Sequence, residues 1–204
     1  MSKLYKMIGQ QFANPHGVIG KICCRIMNRK NRKMYKAVAQ QLSADKSTVV
    51  LDVGYGNGYL IQTLYRQYKC NLYGIELSAE LAKWATSRNK TGIDDGKIRL
   101  LNADCCDMPF VSEMFDYVTT VNTIYFWEDT ELGLSEIHRV LKDGGVFCNA
   151  VYTQEWLQKQ KYTREGFKFF DQDEYINMGK QVGFKEVTIK PIRQGKNFLV
   201  IYKK

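Results

Sequence analysis

Runs of apolar, β-branched residues alternate along the chain with stretches that have the 3.6-residue period of amphipathic helices. The runs predict buried strands at residues 48–53, 71–76, 97–101, 116–121 and 145–151. The stretches with helical period lie at residues 58–68, after Ser78, at 129–141 and at 171–182. This alternation predicts a parallel sheet with right-handed crossovers. Two further alternating runs, near 184–190 and 197–203, predict an antiparallel C-terminal hairpin.

The N-terminal part of the chain has a different pattern, in which basic and apolar residues share helical spacing. Residues 1–44 contain nine Lys or Arg and neither Asp nor Glu, so the net charge of +9 originates there. A basic stripe comprises Arg25, Arg29, Arg32 or Lys33, and Lys36. An apolar stripe beside it comprises Ile22, Cys23, Ile26, Met34, Val38 and Leu42. We expect one or two helices, joined near residues 28–31 and docked by the apolar side. Residues 1–46 would then form a basic helical cap on a single domain of residues 47–204.

The basic stripe is compatible with four surroundings: solvent, an anionic small molecule, nucleic acid or an anionic membrane surface. The stripe lacks interleaved aromatic residues on which bases could stack, which argues against nucleic acid. No apolar run approaches the ~18 residues that span a bilayer, and the polar, basic start does not resemble a secretory signal. We therefore expect a cytoplasmic protein without a transmembrane segment.

The most informative stretch is VVLDVGYGNGYL, residues 49–60. Asp52 ends the strand, and three alternate glycines, Gly54, Gly56 and Gly58, precede a helical pattern. A turn without side chains lets a ligand reach the main chain, and the following helix presents its N-terminal N–H groups there. The spacing does not fit the dinucleotide fingerprint G-x-G-x-x-G. It does not fit a P-loop either, because no lysine follows the glycines.

The pattern D-x-G-x-G-x-G resembles the first motif of the class I S-adenosylmethionine-dependent methyltransferases. The resemblance implies that Asp52 lies under the methionine part of the cofactor, with the glycine turn against it. It also implies that Glu76, in the segment NLYGIELS, binds the ribose hydroxyls and that Leu77 lies beside the adenine. The implied cofactor is S-adenosyl-L-methionine, which becomes S-adenosyl-L-homocysteine.

Later segments extend the resemblance from residue 47 to about residue 152. The segment KIRLLNADCCDMPF implies that Asp104 accepts from the adenine amino group and that the N–H of Cys105 meets a ring nitrogen. Residues 115–129 and 134–145 resemble the fourth strand, its loop and the next helix. The implied fold is α/β: a Rossmann-like, doubly wound, seven-stranded sheet, mostly parallel, with a C-terminal antiparallel hairpin and an N-terminal helical extension. The profile is nearest to the small-molecule branch that includes ubiquinone-biosynthesis-type enzymes.

The substrate pocket is expected over the carboxyl edge of the sheet. Its expected walls are the N-terminal helices and a set of aromatic residues that comprises Tyr125, Phe126, Trp127 and Tyr152. Asn122, in the same loop as the first three, is expected to contact the cofactor. The candidates for catalysis are His16, as a general base, and Tyr125. Neither belongs to a recognisable acid–base pair.

Six cysteines bear on redox state and metal binding. Two adjacent pairs, Cys23–Cys24 and Cys105–Cys106, accompany the single residues Cys70 and Cys148. Because there is no C-x-x-C motif and the chain has only two histidines, we expect no metal site. Reduced, mostly buried thiols suit a cytosolic protein. A metalloid substrate held by three thiols, as in arsenite methyltransferases, stays open as an alternative.

These patterns predict a methyltransferase that moves a methyl group to an O, N, S or C nucleophile of a small molecule, either anionic or aromatic. Two other functions fit the sequence. One is an RNA or protein methyltransferase that docks through the basic N-terminal helices, and the other is a non-catalytic S-adenosylmethionine-binding module. The loop VNTIYFWED lacks the Asn/Asp-Pro-Pro-Tyr/Phe signature of methyltransferases that act on base amino groups, which disfavours nucleic acid.

Overall fold

A computed structural model describes residues 17–163 and 166–204, which form helices around one sheet. The helices are α1 Gly17–Gln41, α2 Tyr59–Tyr68, α3 Ala79–Arg88, α4 Lys90–Asp94, α5 Thr130–Val140, α6 Gln154–Gln158 and α7 Gln172–Gln181. Short 3-10 turns lie at Ile124–Phe126 and Lys161–Thr163. The strands are β1 Val49–Val53, β2 Asn71–Ile75, β3 Ile98–Leu101, β4 Phe115–Val121, β5 Leu141–Tyr152, β6 Glu186–Arg193 and β7 Asn197–Lys203.

The seven strands follow the order β3-β2-β1-β4-β5-β7-β6. Strands β1 to β5 are parallel, and β7 lies antiparallel between β5 and β6. This confirms the predicted doubly wound sheet with a C-terminal hairpin. The chain winds outward from β1 to β3 and then returns to place β4 on the other side of β1. The carboxyl ends of β1 and β4 therefore flank the crevice where ligands bind in open α/β sheets.

The strands and helices bury the apolar positions that their periods predicted. Leu51 in β1 and Phe147 in β5 are fully buried, as is Leu64 on the inner face of α2. The predicted N-cap of α3 is also present, since the Ser78 hydroxyl accepts a hydrogen bond from the Leu81 N–H. All six cysteines are free thiols. No helix in the described part of the chain is long and apolar enough to cross a bilayer.

The N-terminal helix departs from the prediction in two respects. Residues 17–41 form one continuous helix of 25 residues, so the predicted junction near residues 28–31 is wrong. The apolar stripe is only half buried: Met34 and Val38 are inaccessible, whereas Ile22 and Ile26 are 51% and 46% exposed. The helix is rotated so that Asn31 faces inward in their place. Asparagine is a poor helix former, but here buried polar contacts hold it within the helix.

Candidate functional site

A cavity of about 540 Å³ opens at the carboxyl ends of β1, β2 and β4, within the size range of small-molecule sites. Its walls come from α1, from the turn after β1 and from the loops that follow β2, β3, β4 and β5. Most of the predicted site residues meet there: Asp52, Gly54, Gly56, Glu76, Leu77, Asp104, Cys105, Asn122, Phe126, Trp127 and Tyr152. Gly58 and Tyr125 do not line the cavity, and His16 lies outside the described residues.

The three glycines of the turn have different surroundings, although all have positive φ. A Cβ on Gly56 would meet no atom within 4 Å, so this residue presents bare main chain to open space in the cavity. A Cβ on Gly58 would lie 2.4 Å from Asn89 Nδ2 and 2.9 Å from the Ala85 Cβ. Gly58 is therefore required for close packing of the turn against α3. It does not line the cavity, and its contact with the cofactor stays a prediction.

Asp52 is a buried carboxylic acid at the end of β1. It is 3% exposed, and the Thr119 hydroxyl donates a 2.9 Å hydrogen bond to its Oδ1. Burial raises the pKa of Asp52 to about 7, because an ionised carboxylate is poorly solvated there; the hydrogen bond from Thr119 opposes this rise and the nearby charge of Glu76 adds to it. A cationic ligand beside Asp52 would favour its ionised form.

Glu76 joins the glycine turn to the start of α3. Its Oε2 accepts the N–H of Gly56 at 3.0 Å, and its Oε1 accepts the N–H of Ser78 at 3.0 Å. Burial raises the pKa of Glu76, and the backbone donors oppose that rise. Each carboxylate oxygen accepts more than one hydrogen bond, so Glu76 can still receive donors from a ligand in the cavity. Leu77 follows at the rim with 66% of its surface exposed.

Asp104, Cys105 and Cys106 form a compact group after β3, with donor atoms within 4.8 Å of one another. The Cys106 N–H donates to Asp104 Oδ1 at 2.9 Å, and the Cys106 thiol donates to the carbonyl oxygen of Asp129 at 3.3 Å. Burial raises the pKa of the Cys105 thiol. Because metals bind the thiolate form, this environment does not favour a metal.

Tyr125 belongs to the core, which corrects its prediction as a pocket wall. The side chain is 2% exposed, and its hydroxyl oxygen accepts the N–H of Tyr152 at 2.6 Å. Burial raises the pKa of Tyr125 well above its usual value, so the hydroxyl is unsuited to deprotonation near neutrality. Its neighbours Phe126 and Trp127 line the cavity, and their contact with a substrate stays a prediction.

Helix α1 forms a wall of the cavity through residues that the sequence did not single out. The Tyr152 hydroxyl donates to Asn31 Oδ1 at 2.9 Å, and Asn28 Nδ2 donates to Asn57 Oδ1 at 3.3 Å. The Tyr35 hydroxyl lies 3.4 Å from Asn28 Oδ1. The positions 28, 31 and 35 share a helix face, and this polar periodicity was the signal available in the sequence.

The far side of the cavity is aromatic. The rings of Tyr152 and Trp156 stack with centroids 4.1 Å apart, and Phe126 meets Phe167 edge-on at 4.6 Å. Among the described residues that line the cavity there is no Lys, Arg or His. The carboxylic acids of the described lining are Asp52, Glu76, Asp104 and Glu128. The described lining thus combines an acidic cradle with an aromatic chamber, and the Lys196 ammonium group lies 4.8 Å from the centroid of the Trp156 ring at that chamber.

Comparison with known proteins identifies the family. A family profile described as "Methyltransferase domain" matches residues 51–149. Over 166 residues the chain is 31% identical to the uncharacterized methyltransferase YdaC of Bacillus subtilis, covering 81% of this chain and 87% of that protein. The chain belongs to the S-adenosylmethionine-dependent methyltransferases of class I. This confirms the family that the glycine motif indicated.

Two further comparisons place this methyltransferase among its relatives. It is 31% identical over 145 residues to the chloroplastic 2-methyl-6-phytyl-1,4-hydroquinone methyltransferase of Arabidopsis thaliana. That match covers 70% of this chain but only 42% of the plant enzyme's length. The putative methyltransferase in a complex with the Haloferax volcanii Trm112 activator superposes with a TM-score of 0.76 at 19% identity, over 88% of this chain and 92% of that one. At this identity the superposition supports the fold alone.

Proposed function

We propose that this methyltransferase binds S-adenosylmethionine over the glycine turn and methylates a small, uncharged, aromatic or apolar acceptor in the adjoining chamber. The observation that carries the proposal is the cradle at Gly56. There the backbone faces open space, Glu76 bridges the turn to α3, and the same cavity continues into an aromatic chamber whose described lining residues include no Lys, Arg or His. When bound, the cofactor supplies a methyl group activated by a sulfonium ion.

The residues of the cradle fit this cofactor. The Glu76 carboxylate is held by two backbone N–H groups and has accepting capacity left for two ribose hydroxyls. The exposed side chain of Leu77 offers an apolar surface to the adenine, and Asp104 offers an acceptor to its amino group. Asp52, at the end of β1, would attract the positive charges of the methionine part. These four roles are proposals, as is that of Asn122 beside them.

The chamber supports an uncharged acceptor. An anionic acceptor is compatible with the sequence, but a phosphate or carboxylate would find no cationic partner among the described lining residues. An aromatic acceptor could pack on the Tyr152–Trp156 stack. Asn31, which holds the Tyr152 hydroxyl, adds an uncharged polar group to the same wall. The quinol substrate in the plant relative's name agrees with this class.

The protein would promote transfer chiefly by positioning the acceptor and excluding water. The described residues that line the cavity include no histidine, so these residues suit an acceptor that is nucleophilic on its own or that loses its proton to a carboxylate. We include the cytoplasm as the site of action in this proposal. An RNA or protein acceptor, or binding without turnover, would be the conclusion if small acceptors fail.

Calorimetry with S-adenosylmethionine and S-adenosylhomocysteine tests the cofactor site. Glu76→Gln should weaken binding of both by about 1.5–3 kcal/mol, the value of a hydrogen bond to a charged group, or roughly 10- to 150-fold. The matched control is Asp94→Asn, because Asp94 lies in an exposed ion pair with Lys90 in α4. Equal affinities for Glu76→Gln and wild type would refute the ribose assignment.

Turnover tests the acceptor. Formation of S-adenosylhomocysteine should be measured with paired acceptors that share one ring system, one neutral and the other carrying a phosphate or carboxylate. We expect turnover with neutral members and little with anionic ones. The reverse preference would refute the argument from the lining charges.

A further inference from the structure

The outward face of α1 carries an apolar row that the core does not use. Ile19, Ile22 and Ile26 expose 54%, 51% and 46% of their surfaces. Their spacing of three and four residues places the side chains next to one another on one side of the helix. Single exposed isoleucines are ordinary, whereas a row of three on one helix face indicates an interaction surface.

Basic residues flank and continue this row. Arg25, Arg29, Lys30 and Lys33 are all exposed, and none forms an ion pair with a described residue. The whole of α1 contains no Asp or Glu. Basic side chains without ion-pair partners among the described residues, next to exposed isoleucines, complement a partner that has anionic groups at its surface and an apolar layer below them.

We propose that this face of α1, the Ile–Arg face, docks on an anionic lipid bilayer. It comprises Ile19, Ile22, Ile26, Arg25, Arg29 and Lys33. The isoleucines would enter the headgroup region while the basic side chains bind lipid phosphates, as interfacial amphipathic helices do. At 25 residues the helix is long enough to lie in the membrane plane without spanning it.

The opposite side of the same helix forms a wall of the cavity, through Met27 and Asn28. Docking would therefore bring the cavity within about one helix diameter, ~10 Å, of the bilayer. An apolar acceptor dissolved in the membrane would then be close to the chamber. The docking itself does not depend on the proposed acceptor, because it rests only on the outward face of α1.

RNA is the other polyanion that such charges could bind. The exposed side chains of the described α1 include no aromatic residue on which a base could stack. RNA would also leave the three isoleucines in water. A lipid surface is the partner that uses both the charges and the apolar row.

Co-sedimentation of the full chain with vesicles tests the proposal. We expect binding to vesicles that contain phosphatidylglycerol, weaker binding at high salt, and little binding to pure phosphatidylcholine. The triple variant Ile19→Ser, Ile22→Ser, Ile26→Ser should lower the partition coefficient at least tenfold. Arg25→Gln and Arg29→Gln should each lower it about fivefold at low salt.

Two variants elsewhere on the surface serve as controls. Leu132→Ser removes an exposed apolar side chain from α5, and Arg66→Gln removes an exposed charge from α2; neither should change the partition coefficient. Thermal unfolding checks that every variant is folded. The proposal is overturned if the wild type does not bind anionic vesicles, or if the folded triple variant binds as the wild type does. Salt-sensitive RNA binding without vesicle binding would assign the face to nucleic acid instead.

Discussion

Replacing Asp52 by asparagine tests the environment at the centre of the candidate site. The carboxyl is 3% exposed, and burial raises its pKa from 3.8 to about 7. Asparagine has the same shape and can still accept the hydrogen bond from Thr119, but it cannot ionise. The comparison therefore isolates the free energy of placing a negative charge at this position.

The direction and size of the effect follow from the two pKa values. Well below pH 3.8 the acid is neutral in both folded and unfolded protein. As the pH rises towards 7, the unfolded chain ionises freely while the folded protein must keep the proton or hold a buried charge. The wild type therefore loses stability relative to Asp52→Asn as the pH rises, by about 4 kcal/mol in total. Between pH 5 and pH 8 the gap should widen by about 2.5 kcal/mol.

Urea unfolding of both proteins at several pH values between 5 and 8 measures this gap, and the difference between them cancels the titration of all other groups. Thr119→Val provides an internal check. The Thr119→Val variant lacks the hydroxyl that donates to Asp52, so the pKa of Asp52 should rise further. This variant should therefore lose more stability between pH 5 and pH 8 than the wild type does. A gap that stays constant with pH would refute a raised pKa, and a gap that narrows would show that the folded protein stabilises the carboxylate.

Three further predictions separate binding residues from packing residues. Gly56→Ala should cost about 1–2 kcal/mol of stability from its positive φ and should weaken S-adenosylmethionine binding, whereas Gly58→Ala should cost more, about 2–4 kcal/mol, because its methyl group would overlap Ala85. Urea unfolding and calorimetry measure both effects, and equal losses of stability would contradict the distinction. Tyr125→Phe should cost about 1–3 kcal/mol by leaving a buried backbone N–H without its acceptor. Its cofactor affinity should remain that of the wild type, and a large loss of affinity would return Tyr125 to the cavity wall. Asn31→Leu should raise the KM for the acceptor while the Kd of the cofactor changes less than twofold; the opposite pattern would place Asn31 in the cofactor site.

The sequence was sufficient for the sheet and for most of the cradle. Strand and helix periods are local signals, and each strand boundary from β1 to β4 lies within one residue of its prediction. Asp52 and Glu76 end two neighbouring parallel strands, so the topology alone brings them to the same edge. Gly56 could be placed at this edge as well, because it lies in the glycine turn that follows β1. These positions could be predicted because few other placements satisfy the strand order.

The tertiary structure decided the rest of the site. Whether Asn31 or Ile22 faces inward depends on how α1 is rotated against β5 and β7, which lie more than a hundred residues away in the chain. Gly56 and Gly58 differ in role because α3 packs against Gly58 and not against Gly56. Tyr125 is a core residue because its hydroxyl accepts the backbone N–H of Tyr152. The local hydrophobic pattern determines whether a segment forms a helix or a strand, because the period of that pattern depends only on neighbouring residues. Packing between segments that are distant in the chain determines which side chains reach the cavity. Each turn of a helix offers several residues that could face inward, and the sequence pattern does not choose among them.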